Sequence, residues 1–358
     1  TFPEGTMAWS EQWAQAFFDY TPVDSIKRPV ERALTLKLPG NRWVALLDAD
    51  VDDWCLTKLQ ARSDKNGTLQ SVMYSPVDIV TYYATPWKII MTADSPGELL
   101  ENNDIVLNLN PRHDGDFAWV KPGKIMRSPI STEMGLKTID FCADHNIQYM
   151  LYDWQWYMPC TSHDGDATKV VDKVDMQRVI DYGKEKGVGV WLYVNQHALM
   201  KQMDELFPLL RQWGVAGVKS GFVQYASHRW ATWLHDMVRR ASDNGLMMNI
   251  HDEFRPSGFS RTYPNLLTQE GICGNPRIVG TGQFMHRLYG SPKQQYMGQR
   301  MMGGKLSRLH LDQFFLRIIN KKTRINRKQH RQPAQQQEEK DQQIRIFNRL
   351  YGRRREPD

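Results

Sequence analysis

The stretch Asn249-Ile250-His251-Asp252-Glu253-Phe254-Arg255-Pro256 runs from an apolar pair into an imidazole, two adjacent carboxylates and a guanidinium. Strand ends that concentrate charge in this way are candidates for proton transfer, and an ion-paired loop is the other use of the same residues. Glu270, in Thr268-Gln269-Glu270-Gly271, follows Asp252 by 18 positions, so three carboxylates can meet at one mouth. Paired carboxylates are what glycoside hydrolysis requires: a protonated one to protonate the leaving oxygen, and an ionised one to attack or to activate water. Clustered carboxylate oxygens also suit a hard cation such as Ca²⁺, and spacing alone leaves both uses open. Asp153 stands among rings in Tyr152-Asp153-Trp154-Gln155-Trp156-Tyr157, where flat faces can stack on a sugar or simply fill a core. The loop Ser162-His163-Asp164-Gly165-Asp166 lacks the remaining ligands of an EF-hand, and that motif is rejected. His197 and His228 read as surface or loop histidines, and Gly221 ends Lys219-Ser220-Gly221 where a nucleophile would otherwise fit.

Two kinds of element must position these groups. From Arg32 to about Asn110 the chain alternates in short segments: 33–38, 42–48, 68–74, 78–92 and 105–109, with Pro39-Gly40-Asn41 and Lys65-Asn66-Gly67 as turns. That pattern predicts an antiparallel β domain. Beyond Lys124 the rhythm becomes strand, helix, strand, helix, with helices over 134–145, 175–186, 203–213 and 230–244. The strands between them are 148–152, 188–194, 217–219 and 246–250. Successive βα units predict a parallel sheet. Polar and aromatic residues sit just past each strand, where a (β/α)₈ barrel gathers its active-site loops.

The 358 residues carry 46 Lys+Arg against 40 Asp+Glu, for a net +6. The charge is unevenly spread: residues 276–358 hold 19 basic and 6 acidic side chains, leaving 27 basic and 34 acidic in the rest. A nucleic-acid reading would therefore rest on that tail alone, and its Gln/Arg-rich low complexity without interleaved aromatics speaks against specific binding. No apolar run approaches the ~18 residues a membrane span needs, and the first residues lack the plan of a signal peptide. The four cysteines form no CxxC, which argues against a zinc ribbon or redox motif.

Segments 149–154, 179–184, 191–195 and 217–223, with 251–258 and 261–271 as the most specific part, resemble glycoside hydrolase family 97 over residues ~30–275. The resemblance implies an N-terminal β-sandwich (1–115, partial) and the first five to six units of a catalytic (β/α)₈ TIM-like barrel (116–275). A divergent basic segment (276–358) follows. It further implies hydrolysis of terminal α-linked glucose or galactose, one active-site calcium and a periplasmic location. Retaining members carry an Asp nucleophile where this sequence has Gly221, which implies the inverting α-glucosidase type. Asp252 matches that type's calcium-bound base, with Glu253 as fallback, and Glu270 matches a further calcium ligand; Asp48 is the candidate for the ligand from the N-terminal domain. The inverting type's second base has no acidic match near Asn195-Gln196-His197, and the family's general acid falls on Pro276, which cannot donate a proton. Charge balance, βα rhythm and resemblance all stop there, as a disrupted or frame-shifted C-terminus would make them.

The resemblance thus implies a calcium-assisted, inverting hydrolase of α-linked oligosaccharides, impaired in protonating its leaving group. Asp252 and Glu253 are expected to be catalytic, and Asp153, Trp154, His197, Lys219, His251 and Arg255 to bind substrate. Asp252, Glu270 and Asp48 are expected on the metal. A non-catalytic carbohydrate-binding protein is the alternative.

Overall fold

A computed structural model describes residues 1–12, 18–79, 83–158, 165–251 and 254–269, which fall within one compact unit. The first half is built from β1 (Met7–Ser10), β2 (Asp19–Pro22), β3 (Leu34–Lys37), β4 (Trp43–Ala49), β5 (Thr57–Ala61), β6 (Leu69–Met73) and β7 (Trp87–Ala93). Five of them form an antiparallel sheet in the order β2-β1-β3-β4-β7, and β5 pairs with β6 as a hairpin. Alternation dictates the packing: Leu34 and Leu36 pair with Leu46 and Val44, and all four turn inward. They meet Leu59 and Ala61 of the hairpin across a shared core, which makes the pair of sheets a sandwich.

Two short helices, α1 (Pro96–Glu101) and α2 (Asp104–Asn108), cover the other face of β4 and β7, with Val106 packed beside Ala45, Ala49, Ile89 and Met91. The strand expected over 105–109 is therefore a helix. Its β-branched residues suggested extension, but Asp104 in the first turn and burial of one apolar face favour the helix. The strand expected over 78–92 is confined among the described residues to β7.

The second half follows the predicted rhythm. Strands β8 (Ile125–Ser128), β9 (Tyr149–Tyr152), β10 (Gly189–Asn195), β11 (Gly217–Gly221), β12 (Met247–Ile250) and β13 (Leu266–Gln269) lie parallel and side by side in chain order. Helices α3 (Thr132–Asp144), α4 (Met176–Lys186), α5 (Gln196–Trp213) and α6 (His228–Asp243) join the first five. Parallel strands in sequential order are the arrangement of a (β/α)₈ barrel, of which six strands lie among the described residues. Its floor is an apolar layer of Ile125, Tyr149, Leu151, Trp191 and Met247. Ser131 and Asp175 cap α3 and α4 by accepting from the backbone N–H three residues on. Helix α5 begins directly at the end of β10, seven residues before the expected start at Met203, because Asn195 is at once the last strand residue and the N-cap.

Candidate active site at the strand ends

Strand register decides which side chains share a layer above the floor. Tyr193 of β10 pairs with Lys219 of β11, and Lys219 with Asn249 of β12, so these three project alike. Two residues further, Asn195 pairs with Gly221, and His251 follows the end of β12. Asp153 follows β9 on the same side, and Arg127 of β8 reaches up to it. Asp153 lies 3.6 Å from Lys219 Nζ and 3.5 Å from Arg127 Nε, and accepts a hydrogen bond from the Trp154 backbone N–H at 3.1 Å.

Burial of Asp153 favours its neutral form, yet Lys219 and Arg127 outweigh it and hold the carboxyl below its ordinary range. Asp153 is therefore an anion at neutral pH and cannot serve as general acid. With Lys219, whose side chain is only 9% exposed, it offers paired acceptor and donor groups suited to sugar hydroxyls. Tyr193 meets His251 edge to face at 6.5 Å, and exposed Trp154 and Phe222 supply apolar surface near the same strand ends.

Gly221 has no room for a side chain. A Cβ there would stand 2.2 Å from the Tyr193 ring, so tyrosine occupies the volume a strand-end carboxylate would need. At the end of β10, Asn195 is committed as a cap: its side chain accepts from Ala198 N–H at 2.8 Å, and its own N–H donates to Tyr157 Oη at 3.1 Å. His197 lies exposed on the first turn of α5.

The other predicted site residues are placed as follows. Arg255 is buried and donates to Glu11 beside β1, so its guanidinium is engaged with the N-terminal domain. Asp48 lies in β4 with both carboxylate oxygens engaged: Oδ1 is 3.2 Å from Arg32 and 3.0 Å from Lys88, and Oδ2 accepts from Thr57 at 2.6 Å. A divalent ion would have to displace two cations to reach it, so Asp48 as placed does not fit calcium. Among the described residues no three His, Cys, Asp or Glu gather as a metal would require. Asp48 and Arg255 instead share the lining of a cavity of about 190 Å³ between the β domain and the barrel wall, together with Arg32 and Gln269. Asp252, Glu253, Glu270 and Pro276 lie outside the described residues, as does the basic segment 276–358. Arg127 and Tyr193 escaped the sequence reading, because short buried parallel strands such as Ile125–Ser128 and Gly189–Asn195 show no apolar/polar alternation to mark which side faces the site.

Two family models match this chain: "Glycosyl-hydrolase 97 N-terminal" over residues 1–111 and "Glycoside hydrolase 97" over 117–272. Among curated proteins, the "Retaining alpha-galactosidase" of Bacteroides thetaiotaomicron is 25% identical over 203 residues, covering 53% of this chain and 30% of that protein. The "Probable retaining alpha-galactosidase" of Streptomyces bingchenggensis is 25% identical over 222 residues, covering 57% and 34%. The chain thus spans about a third of the length of these relatives. Among solved structures, a glycoside hydrolase family 97 enzyme from Pseudoalteromonas sp. strain K8, determined with acarbose and with panose, superposes at a TM-score of 0.66. Its identity is 22%, with 75% of this chain and 48% of that one covered. A beta-arabinopyranosidase gives 0.60 at 19% identity, covering 76% and 49%. These two structures establish the shared fold.

Proposed function

The chain belongs to glycoside hydrolase family 97, and on that premise we propose that it hydrolyses terminal α-linked glucose from oligosaccharides by direct attack of water. The observation that carries this reading is Gly221 beneath the Tyr193 ring, which leaves no place at the end of β11 for a carboxylate nucleophile. Without a covalent intermediate, water must add to the anomeric carbon from the face opposite the leaving group, inverting the centre. In this reading Asp252 takes the proton of the attacking water, with Glu253 as the alternative base. The glycosidic C–O bond breaks, and its electron pair leaves on the departing oxygen. Pro276 supplies no proton to that oxygen, so aryl glycosides, whose leaving groups are stable as anions, react faster than alkyl ones.

The ionised Asp153 and its partner Lys219 orient the sugar through its hydroxyls, and Trp154 stacks on its apolar face. Asp252 and Glu270 remain the candidates to hold a calcium ion, which would help to polarise the attacking water, whereas the described candidate Asp48 is already neutralised by Arg32 and Lys88. The family resemblance extends the same proposal to a periplasmic location. Among the described residues no helix is long and apolar enough to cross a membrane.

The test is release of p-nitrophenol from its α-glucoside and α-galactoside by purified full-length chain, with calcium and with chelator. Release from the glucoside agrees with the reading, and loss of that release with chelator, restored by calcium, shows that the cation takes part. Preference for the galactoside overturns the sugar assignment, and binding of oligosaccharide without release points to the non-catalytic alternative.

A further inference from the structure

The loop between β4 and β5 reaches across to α6, and two of its carboxylates meet two histidines there. Asp52 accepts from His235 Nδ1 at 2.8 Å and also receives Arg239. Asp53 is 2.8 Å from His228 Nε2 and accepts from Thr232 at 3.3 Å. His235 is 1% exposed, and its Nε2 is buried with no hydrogen-bond partner among the described residues, so of these Asp52 is the one that fixes the ring by hydrogen bonding. The imidazole lies flat on Phe259, with centroids 3.8 Å apart and planes 7° from parallel, and Phe254 meets it edge-on at 5.7 Å. Phe254 and Phe259 both belong to the segment that leaves β12 just after Asp252 and Glu253 in sequence.

The same segment is held from the other side by the N-terminal domain. Ser257 O accepts from Asp50 N–H at 3.1 Å and from Asn110 Nδ2 at 2.8 Å. Gly258 has φ +91°, and a Cβ there would lie 2.2 Å from that Asn110 nitrogen. Thr262 donates to Pro111 O at 2.7 Å, and Arg261 to Asn108. None of these partners comes from the barrel strands.

We infer that the Asp52–His235 pair is a positioning device: the N-terminal domain, acting through a buried imidazole, sets where the segment 254–262 sits on leaving β12. Neither residue touches the strand-end cluster of Asp153, Lys219 and Tyr193 in any interaction described above. Their influence on the reaction runs through the backbone that connects Phe254 to Asp252 and Glu253. The catalytic consequence rests on the proposed hydrolase reading; the positioning itself does not.

The experiment uses the full chain with three substitutions: Asp52→Ala, which removes the acceptor; His235→Phe, which keeps the flat ring and removes the donor; and Asp52→Asn, which restores an acceptor oxygen without charge. Hydrogen exchange is read by segment, and p-nitrophenyl α-glucoside kinetics on the folded fraction. Asp52→Ala and His235→Phe are expected to speed exchange in 254–262 at least tenfold, with 149–152 and 217–221 unchanged. They are also expected to lower kcat about tenfold with KM within twofold, and Asp52→Asn to recover most of both. Exchange that rises evenly across the chain, or folded variants with unaltered exchange in 254–262, would overturn the inference. If the unsubstituted chain releases no p-nitrophenol, the hydrolase reading fails, and the exchange arm still decides the positioning role.

Discussion

Substituting Gly221 by alanine tests directly whether the strand end can hold a side chain. The added Cβ would lie 2.2 Å from Cε2 and 2.3 Å from the hydroxyl of Tyr193, against roughly 3.4 Å for an ordinary contact. The ring must therefore retreat by more than an ångström. Tyr193 is 3% exposed, and the carbonyl of its own residue is tied to Trp156 Nε1 at 2.6 Å, so the backbone cannot follow easily. Overpacking of this kind costs about 1–3 kcal/mol. With a urea m-value of about 3 kcal/mol/M for a chain of this size, the unfolding midpoint falls by roughly 0.3–1 M. Tyr193→Ala alone also destabilises, by leaving a cavity. The double substitution should be milder than the sum of the two by at least about 1 kcal/mol, since each change relieves the other. Strictly additive effects, or a Gly221→Ala chain as stable as the parent, would refute the claim that tyrosine occupies this space.

Three further outcomes follow from the same geometry. Glu11→Gln strips the buried Arg255 of its counter-ion and should destabilise by about 3–5 kcal/mol, seen as a lowered urea midpoint; a change below about 1 kcal/mol would show the pair to be dispensable. Lys219→Met removes the largest of the influences that hold the buried Asp153 low, so its carboxyl should titrate at a higher pH, measurable by carboxyl carbon NMR; an unmoved titration would contradict the assigned cause. Asp52 is held at about 2, against burial, by His235 and Arg239. Because its folded pKa lies below the unfolded one, its contribution is complete above about pH 4 and is lost as pH falls through about 2. The carboxylate is 38% exposed, and screening leaves on the order of 1 kcal/mol of it. Asp52→Asn should therefore be less stable than the parent at pH 6 and converge with it near pH 2, as followed by thermal unfolding.

Periodicity made the barrel legible. Helices α3, α4 and α6 lie within two residues of their expected ends, because 3.6-residue amphipathicity and caps such as Ser131 and Asp175 are written locally. Strands β3, β4 and β6 were equally readable from alternation. Helix α2 was misread because Ile105 and Val106 are β-branched, and the sheet face beneath Val106, which no local pattern announces, combines with Asp104 in the first turn to make a helix preferable. At the site, the strand-end positions of Asp153 and Lys219 followed from the βα rhythm, but their mutual pairing and the capture of Arg255 by Glu11 did not. Those partners are separated by 66 and 244 positions, and no local pattern encodes a contact made by folding. Asp48, the resemblance's candidate metal ligand from the N-terminal domain, is neutralised for the same reason out of sight of the sequence: Arg32 and Lys88 arrive from a neighbouring loop and strand.

The central claim, hydrolysis by direct water attack, is tested most directly by the configuration of the first-formed sugar. Proton NMR of p-nitrophenyl α-glucoside mixed with purified full-length chain resolves the two anomers before mutarotation mixes them. Direct water attack yields β-glucose as the first product, with the α-anomer growing in later. Appearance of α-glucose first would mean that a nucleophile operates despite Gly221, and would contradict the account.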